Sequence, residues 1–196
     1  NMLTGATPVA NGGTGLSSGT TNQFLKFTGS TTLASAAGGG ITMLDQWACT
    51  DNQSISSGAE RLISGYWGDY GTTDSGASIG SSMTESSGIF TFPETGIYTI
   101  DFRFQFGAAT GENDQVQIYL NVTTNNSSYS DAADPAGFFS DANDHYTATG
   151  HYAIDVTDTS NVKFKFGCYS ANVNTQINGS STRLRSGFTV MKIGDT

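Results

Sequence analysis

Between positions 98 and 106, Tyr98, Ile100, Phe102, Phe104 and Phe106 alternate with Thr99, Asp101, Arg103 and Gln105. Strict period-two alternation puts the five large apolar groups on one face of a strand and the polar groups on the other. A face this apolar must be covered by a second layer. Val116, Ile118, Leu120 and Val122 repeat the pattern, as do Tyr152, Ile154 and Val156, then Val162, Phe164, Phe166 and Cys168. Shorter strands are predicted at 41–49, 89–92 and 188–193. Gly, Asn, Asp or the Pro93-Glu94-Thr95-Gly96 turn bounds these runs, and Asn178-Gly179 predicts a tight hairpin. Gly or Ser interrupts nearly every window that could be a helix. The expectation is an all-β antiparallel sandwich of seven to ten strands, either a jelly roll or another Greek-key arrangement.

The chain divides by composition near residue 40. Residues 1–40 hold 21 Gly, Ser or Thr and one charge, Lys26, so all 17 acidic residues fall in residues 41–196. The opening has too few large apolar residues to bury a core alone. It reads either as a flexible polar linker or as a thin stalk in which copies of the chain pair short strands. Phe24, Leu25 and Phe27 favour the stalk, because a linker has no use for them.

A formal charge of −9 sets the whole surface against a phosphate backbone, so nucleic acid is not an expected partner. No apolar run approaches the roughly 20 residues of a membrane span, and Asn1 to Ala10 lacks the basic-then-apolar layout of a signal peptide. Membrane insertion is not expected. Cys49 and Cys168 stand far apart without a CxxC or a Cys-His grouping, so they read as two buried thiols or one long-range disulfide. The histidines are His145 and His151, and no GxSxG, HExxH or phosphate-loop glycine pattern accompanies them. The residue inventory therefore predicts no enzyme.

Asp131, Asp134, Asp141 and Asp144 lie within fourteen positions. They read as a solvated acidic loop or as oxygen ligands for a calcium ion, although the spacing is not that of an EF-hand. The same stretch, Tyr129 to Tyr146, is predicted to be the longest irregular connection. It interleaves Tyr129, Phe138, Phe139, His145 and Tyr146 with acids and amides, which suits sugar binding: rings for an apolar sugar face, oxygens for hydroxyls. Anchoring of Phe138 or Phe139 on the sheet edge is the competing expectation. A second long loop, Gly65 to Ser87, carries Tyr66, Trp67 and Tyr70 and is an alternative face.

The segment Ile89-Phe90-Thr91-Phe92-Pro93-Glu94-Thr95-Gly96-Ile97-Tyr98 resembles the family of trimeric jelly-roll heads that includes tumour necrosis factor and the complement globular head. Ser181 to Ile193 is similar to that family's closing strand, with Leu184 in the first aromatic place. The resemblance covers residues 41 to 196 and implies a jelly roll within a trimer, with calcium near the threefold axis in some complement-type members. The opening, Thr4-Gly5-Ala6-Thr7-Pro8-Val9-Ala10-Asn11-Gly12-Gly13-Thr14-Gly15-Leu16 followed by Thr21 to Phe27, looks like the stalk motif of bacteriophage tail fibres. That second resemblance implies a homotrimeric fibre on the virion. Residues 1–40 would be its stalk, joined to other virion proteins, and residues 41–196 a head that meets a host cell-surface glycan or protein. A trimer would bury Phe24 and Phe27 in the stalk, and Trp47, Tyr66, Trp67 and Tyr70 become candidates for the threefold contact or for ordinary core. The alternative expectation is an assembly or decoration protein whose head caps the stalk, sets trimer register or binds another virion protein.

Overall fold

The structure is a computed structural model and describes residues 23–29, 32–37, 40–55, 58–70, 78–108, 115–139, 141, 144–171 and 175–196. The chain forms two compact units, Asn1–Gly40 and Ile41–Thr196. Every named element is a β-strand.

In the first unit, β1 (Gln23–Gly29) pairs antiparallel with β2 (Thr32–Ala37), Gln23 opposite Ala37 and Phe27 opposite Leu33. Alternation sends Phe24 to one side of this ribbon and Leu25 and Phe27 to the other. All three are more than half exposed. Both faces are therefore apolar and uncovered, and a lone two-stranded ribbon is marginal in water. The opening motif at residues 4–16 lies outside the described residues.

The second unit is a two-layer antiparallel sandwich. Its strands are β3 (Leu44–Cys49), β4 (Gln53–Ser54), β5 (Arg61–Leu62), β6 (Trp67–Asp69), β7 (Thr84–Ser86), β8 (Ile89–Thr91), β9 (Gly96–Ala108) and β10 (Gln115–Thr123). They continue as β11 (Ser130–Ala133), β12 (Ala136–Phe138), β13 (His145–Val156), β14 (Lys163–Ser170), β15 (Thr175–Ile177) and β16 (Gly187–Gly194). In one layer β9 is central: β13 covers one edge, while β16 and then β15 cover the other, with β3 and β6 beyond β16 and β4 beyond β15. In the other layer β10 and β14 are central. β11 and β12 flank β10, and β5, β8 and β7 lie on the far side. We call these the β9 sheet and the β10 sheet.

The alternation read from the sequence is what packs the layers together. Tyr98, Ile100, Phe102, Phe104 and Phe106 point inward from β9, and Val116, Ile118, Leu120, Phe164 and Phe166 meet them from the β10 sheet, all 4% exposed or less. Aromatic rings dominate the middle. Phe90 stacks on Phe164 at 5.2 Å between centroids, and Phe188 meets Phe164 edge-on at 5.3 Å. Such pairs stabilise by about 0.5–1.5 kcal/mol beyond the area they bury.

Three expectations change. Asn178-Gly179 is not a two-residue hairpin: β15 and β16 both pair with β9 and not with each other. The tight hairpin is Ser87-Gly88 between β7 and β8, with φ of 54° and 82°, the doubly positive geometry that matches strand twist. A side chain on Gly88 would also run into the Ile63 carbonyl. The stretch 129–146 is mostly regular, since β11 and β12 pair with β10 and β13 already begins at His145. Likewise 65–87 contributes β6 and β7, with residues 71–77 outside the described set.

Candidate functional site

Because β9 turns its even-numbered side chains inward, its odd-numbered ones form the outer face of the β9 sheet. Register places Asp101 between His151 on β13 and Thr189 on β16, and Arg103 between Thr149 and Gly187. The Asp101 carboxylate and His151 Nδ1 are 2.7 Å apart, with both side chains about 60% exposed. A contact so wet contributes little to stability. Asp101, Arg103, Thr149, His151, Leu184 and Thr189 line a recess of about 490 Å³. That volume lies within the range of about 300–1,000 Å³ usual for small-ligand sites. Among the described residues Arg103 pairs with no carboxylate. The same sheet exposes Ile97 and Ile193, and Leu44 lies opposite Met191 and bridges to the exposed Ile79. The β9 sheet thus presents a polar middle beside exposed isoleucines, close in sequence to Ile41, where the head begins.

Two of the predicted sugar-binding residues, Phe139 and Tyr146, are taken up by the fold itself. Phe139 is 1% exposed and belongs to the core, which removes it from any ligand face. Phe138, one position earlier on β12, is 67% exposed. Tyr146 is a clamp: its hydroxyl donates to the Ala136 carbonyl at 2.8 Å, and its ring occupies the space a side chain on Gly137 would need. His145 lies with Nδ1 3.2 Å from the Asn178 amide, while that amide also donates to Gln105. Tyr129 stands on the β10 sheet, with Lys165 Nζ 4.3 Å from its ring centre. A cation over a ring at that distance is attracted by the negative π face.

The four aspartates separate into two pairs. Asp141 and Asp144 close a local turn, the Asp141 amide donating to the Asp144 carboxylate at 3.0 Å. Asp131 accepts from the Asn121 amide at 2.5 Å, and Asp134 accepts from Gln117 at 3.2 Å. Among the described residues no three His, Cys, Asp or Glu side chains meet as metal ligands. The described residues thus do not bring Asp131, Asp134, Asp141 and Asp144 together as one ligand set: Asp131 is held to Asn121 and Asp134 to Gln117, both on β10.

Trp47 and Trp67 are half-buried and pack against the sandwich core. Trp67 packs against Phe90, Phe104, Phe166 and Phe188, and donates Nε1 to the Ile63 carbonyl at 2.8 Å. Trp47 meets Phe90 and donates Nε1 to Asp45 at 2.9 Å. Tyr70 is half-buried, whereas Tyr66 is 57% exposed at a φ of 60°, a costly conformation for an aromatic residue. Its carbonyl is held by the amide and hydroxyl of Thr50.

Cys49 and Cys168 are free and buried. Burial pushes both thiols up, Cys168 to about 12 and Cys49 further. Neither is a thiolate nucleophile at neutral pH. Asp45, missed in the sequence, is a fully buried carboxylate. It accepts from Trp47 and from the Met83 amide at 2.7 Å, and burial raises its pKa against those two bonds. The recess residues Asp101, Arg103, Thr149 and His151 were also missed, although their signal was present: they are outward positions of strands whose inward positions were read.

No family model and no curated protein matches this chain. Among solved structures, Eiger TNF from S. frugiperda superposes with a TM-score of 0.58 at 12% identity, over 80% of this chain and 95% of that one. Murine APRIL superposes with a TM-score of 0.54 at 9% identity, over 77% and 98%. At such identities the likeness is one of fold: the head is a jelly roll of the tumour necrosis factor type.

Proposed function

We propose that this chain is the head-bearing part of a homotrimeric bacteriophage fibre, with residues 1–40 as stalk and a head that attaches the virion to its host. The carrying observation is uncovered apolar surface in both units: Phe24, Leu25 and Phe27 on the ribbon, and Ile79, Ile97 and Ile193 in the sandwich, beside the half-buried Leu44 and Met191. Among the described residues neither surface has a covering partner, and association with copies of the chain would cover each. The fold agrees with this reading, being one in which the solved neighbours carry the names TNF and APRIL. The phage assignment rests on the run Pro8-Val9-Ala10-Asn11-Gly12-Gly13-Thr14-Gly15. Three weak identical sites per trimer, repeated over several fibres, would give firm attachment through avidity.

A second reading, a cap that sets stalk register or binds another virion protein, is favoured by one finding. Phe139 and Tyr146, two of the aromatics expected to bind ligand, instead hold the fold together. One pair of measurements separates the readings. Light scattering of the intact chain should give three times the chain mass, and a single-chain mass would end both. The purified trimer should then bind host cells and slow adsorption of the parent phage. Absence of binding at saturation would leave the cap.

A further inference from the structure

The outer face of the β10 sheet holds a second set of aligned side chains. β10 sends Val116, Ile118 and Leu120 inward, so Gln117, Tyr119 and Asn121 face out, and β14 adds Lys165, Gly167 and Tyr169. Register sets Tyr119 opposite Gly167 and Gln117 opposite Tyr169, which makes the two tyrosines diagonal neighbours, roughly 7–8 Å apart at their backbones. Glu60 comes in over Gly167, where a side chain would collide with its carboxylate. The result is two half-buried phenol rings with a carboxylate beside them.

Hydrogen bonds hold this face in one arrangement. The Tyr119 hydroxyl donates to the Gln117 carboxamide oxygen at 3.0 Å, and the Gln117 nitrogen donates to the carbonyl and carboxylate of Asp134, each at 3.2 Å. Burial raises the Tyr119 pKa, and the charges of Glu60, Asp131 and Asp134 raise it further, so the phenol is held neutral. Asn121 is 4% exposed, and its carboxamide oxygen has no donor among the described groups.

We infer that the Tyr119–Tyr169 face, with Glu60, Gln117 and Asp134, is a binding site for a neutral, hydroxyl-rich glycan. Rings accept the apolar face of a sugar, and acceptor oxygens take its hydroxyl protons. An anionic glycan is disfavoured, because the carboxylates of Glu60, Asp131 and Asp134 and a net charge of −9 oppose it, while Lys165 on the same face is engaged over the Tyr129 ring. If the β9 sheet is covered in a trimer, this opposite layer faces outward on all three copies. The inference rests on the attachment reading and gives that reading a ligand class.

The test uses the intact chain with gluco-, galacto- and manno-hexaoses as probes and a hexauronate as the charged control, followed by calorimetry and saturation-transfer NMR. At least one neutral hexaose should bind with a Kd of about 1 mM, as weak multivalent sites do. Tyr169→Ala and Glu60→Gln should each weaken it at least about tenfold, or about 1.4 kcal/mol. Phe138→Ala should leave it unchanged, and all variants should keep the wild-type melting temperature within a few degrees. If Tyr169→Ala melts early, Glu60→Gln and Gln117→Ala decide the matter. Failure of all three hexaoses, tighter binding of the hexauronate, or indifference to the substitutions overturns the inference. Host adsorption that persists without saccharide binding removes the glycan and leaves attachment intact.

Discussion

The ring of Phe102 on β9 lies across the backbone of Gly150, its register partner on β13, so closely that any side chain at position 150 would enter the ring. Gly150 is thus a packing requirement in the middle of a twelve-residue strand, where glycine is otherwise unfavourable. Gly150→Val should overpack this site and cost about 1–3 kcal/mol. Thermal unfolding measures it, with a fall of about 2–4 °C per kcal/mol for a chain of this size. An unchanged melting temperature would mean that Phe102 has another place to go.

The raised pKa of Asp45 makes stability depend on acid. Its folded-state value lies above the ordinary 3.8, chiefly through burial and further through the charge of Asp69. The folded head therefore binds this proton more tightly than the unfolded chain. The contribution is complete below pH 3.8 and is lost as pH rises through the folded value. Asp45→Asn should flatten that part of the profile of melting temperature against pH. Equal profiles for the two proteins would show that Asp45 carries no such linkage.

The two thiols make the opposite end of the pH scale informative. Unfolded thiols ionise near 9.0, whereas Cys168 in the folded head does so at about 12 and Cys49 higher. Their stabilising contribution is intact below pH 9 and falls as pH rises beyond it, by about 1.4 kcal/mol per pH unit for each thiol. Replacing both by alanine should lower stability at neutral pH and remove much of the alkaline slope. Denaturant titrations at pH 7, 9 and 10 would read both effects.

The proposed trimer contact through the β9 sheet would make a sharp demand on Ile97, which is 37% exposed on that face. Ile97→Asp would place three carboxylates in the apolar part of the contact and should reduce the scattering mass to that of one chain. Phe138→Asp, on a residue 67% exposed at the other sheet's edge, should leave the mass unchanged. The reverse result would move the interface to β12.

Layering and core were legible because burial writes a period of two, and Tyr98 to Phe106 show it without interruption. Identity of neighbours was not legible. Phe138 and Phe139 are the same residue side by side, and only the register of β12 on β10 decides that one is exposed and the other buried. Trp47 and Trp67 fit an interface or a core equally by composition, and the aromatic cluster around Phe90 and Phe188 claimed both. Asp131 and Asp134 looked like companions of Asp141 and Asp144 because they are near in sequence. Their partners, Asn121 and Gln117, both come from β10, which pairs with β11 and β12 on either side of Asp134. The Tyr119–Tyr169 face was hidden for the same reason, since those tyrosines stand fifty positions apart and meet only through the pairing of β10 with β14.

β16 enters the sheet later in the chain than any other described strand, yet it lies between β9 and β3 and pairs with both. During synthesis β3 and β9 therefore leave the ribosome without the strand that joins them. Long-range pairing of this sort is slow and cannot begin early. Without Gly187–Gly194, β3 and β9 would share no strand, and the register partners that Phe188 offers to Phe102 and Trp47 would be missing. The β9 sheet therefore closes only after Gly187–Gly194 has been made, so its completion is a late step in folding rather than an early one.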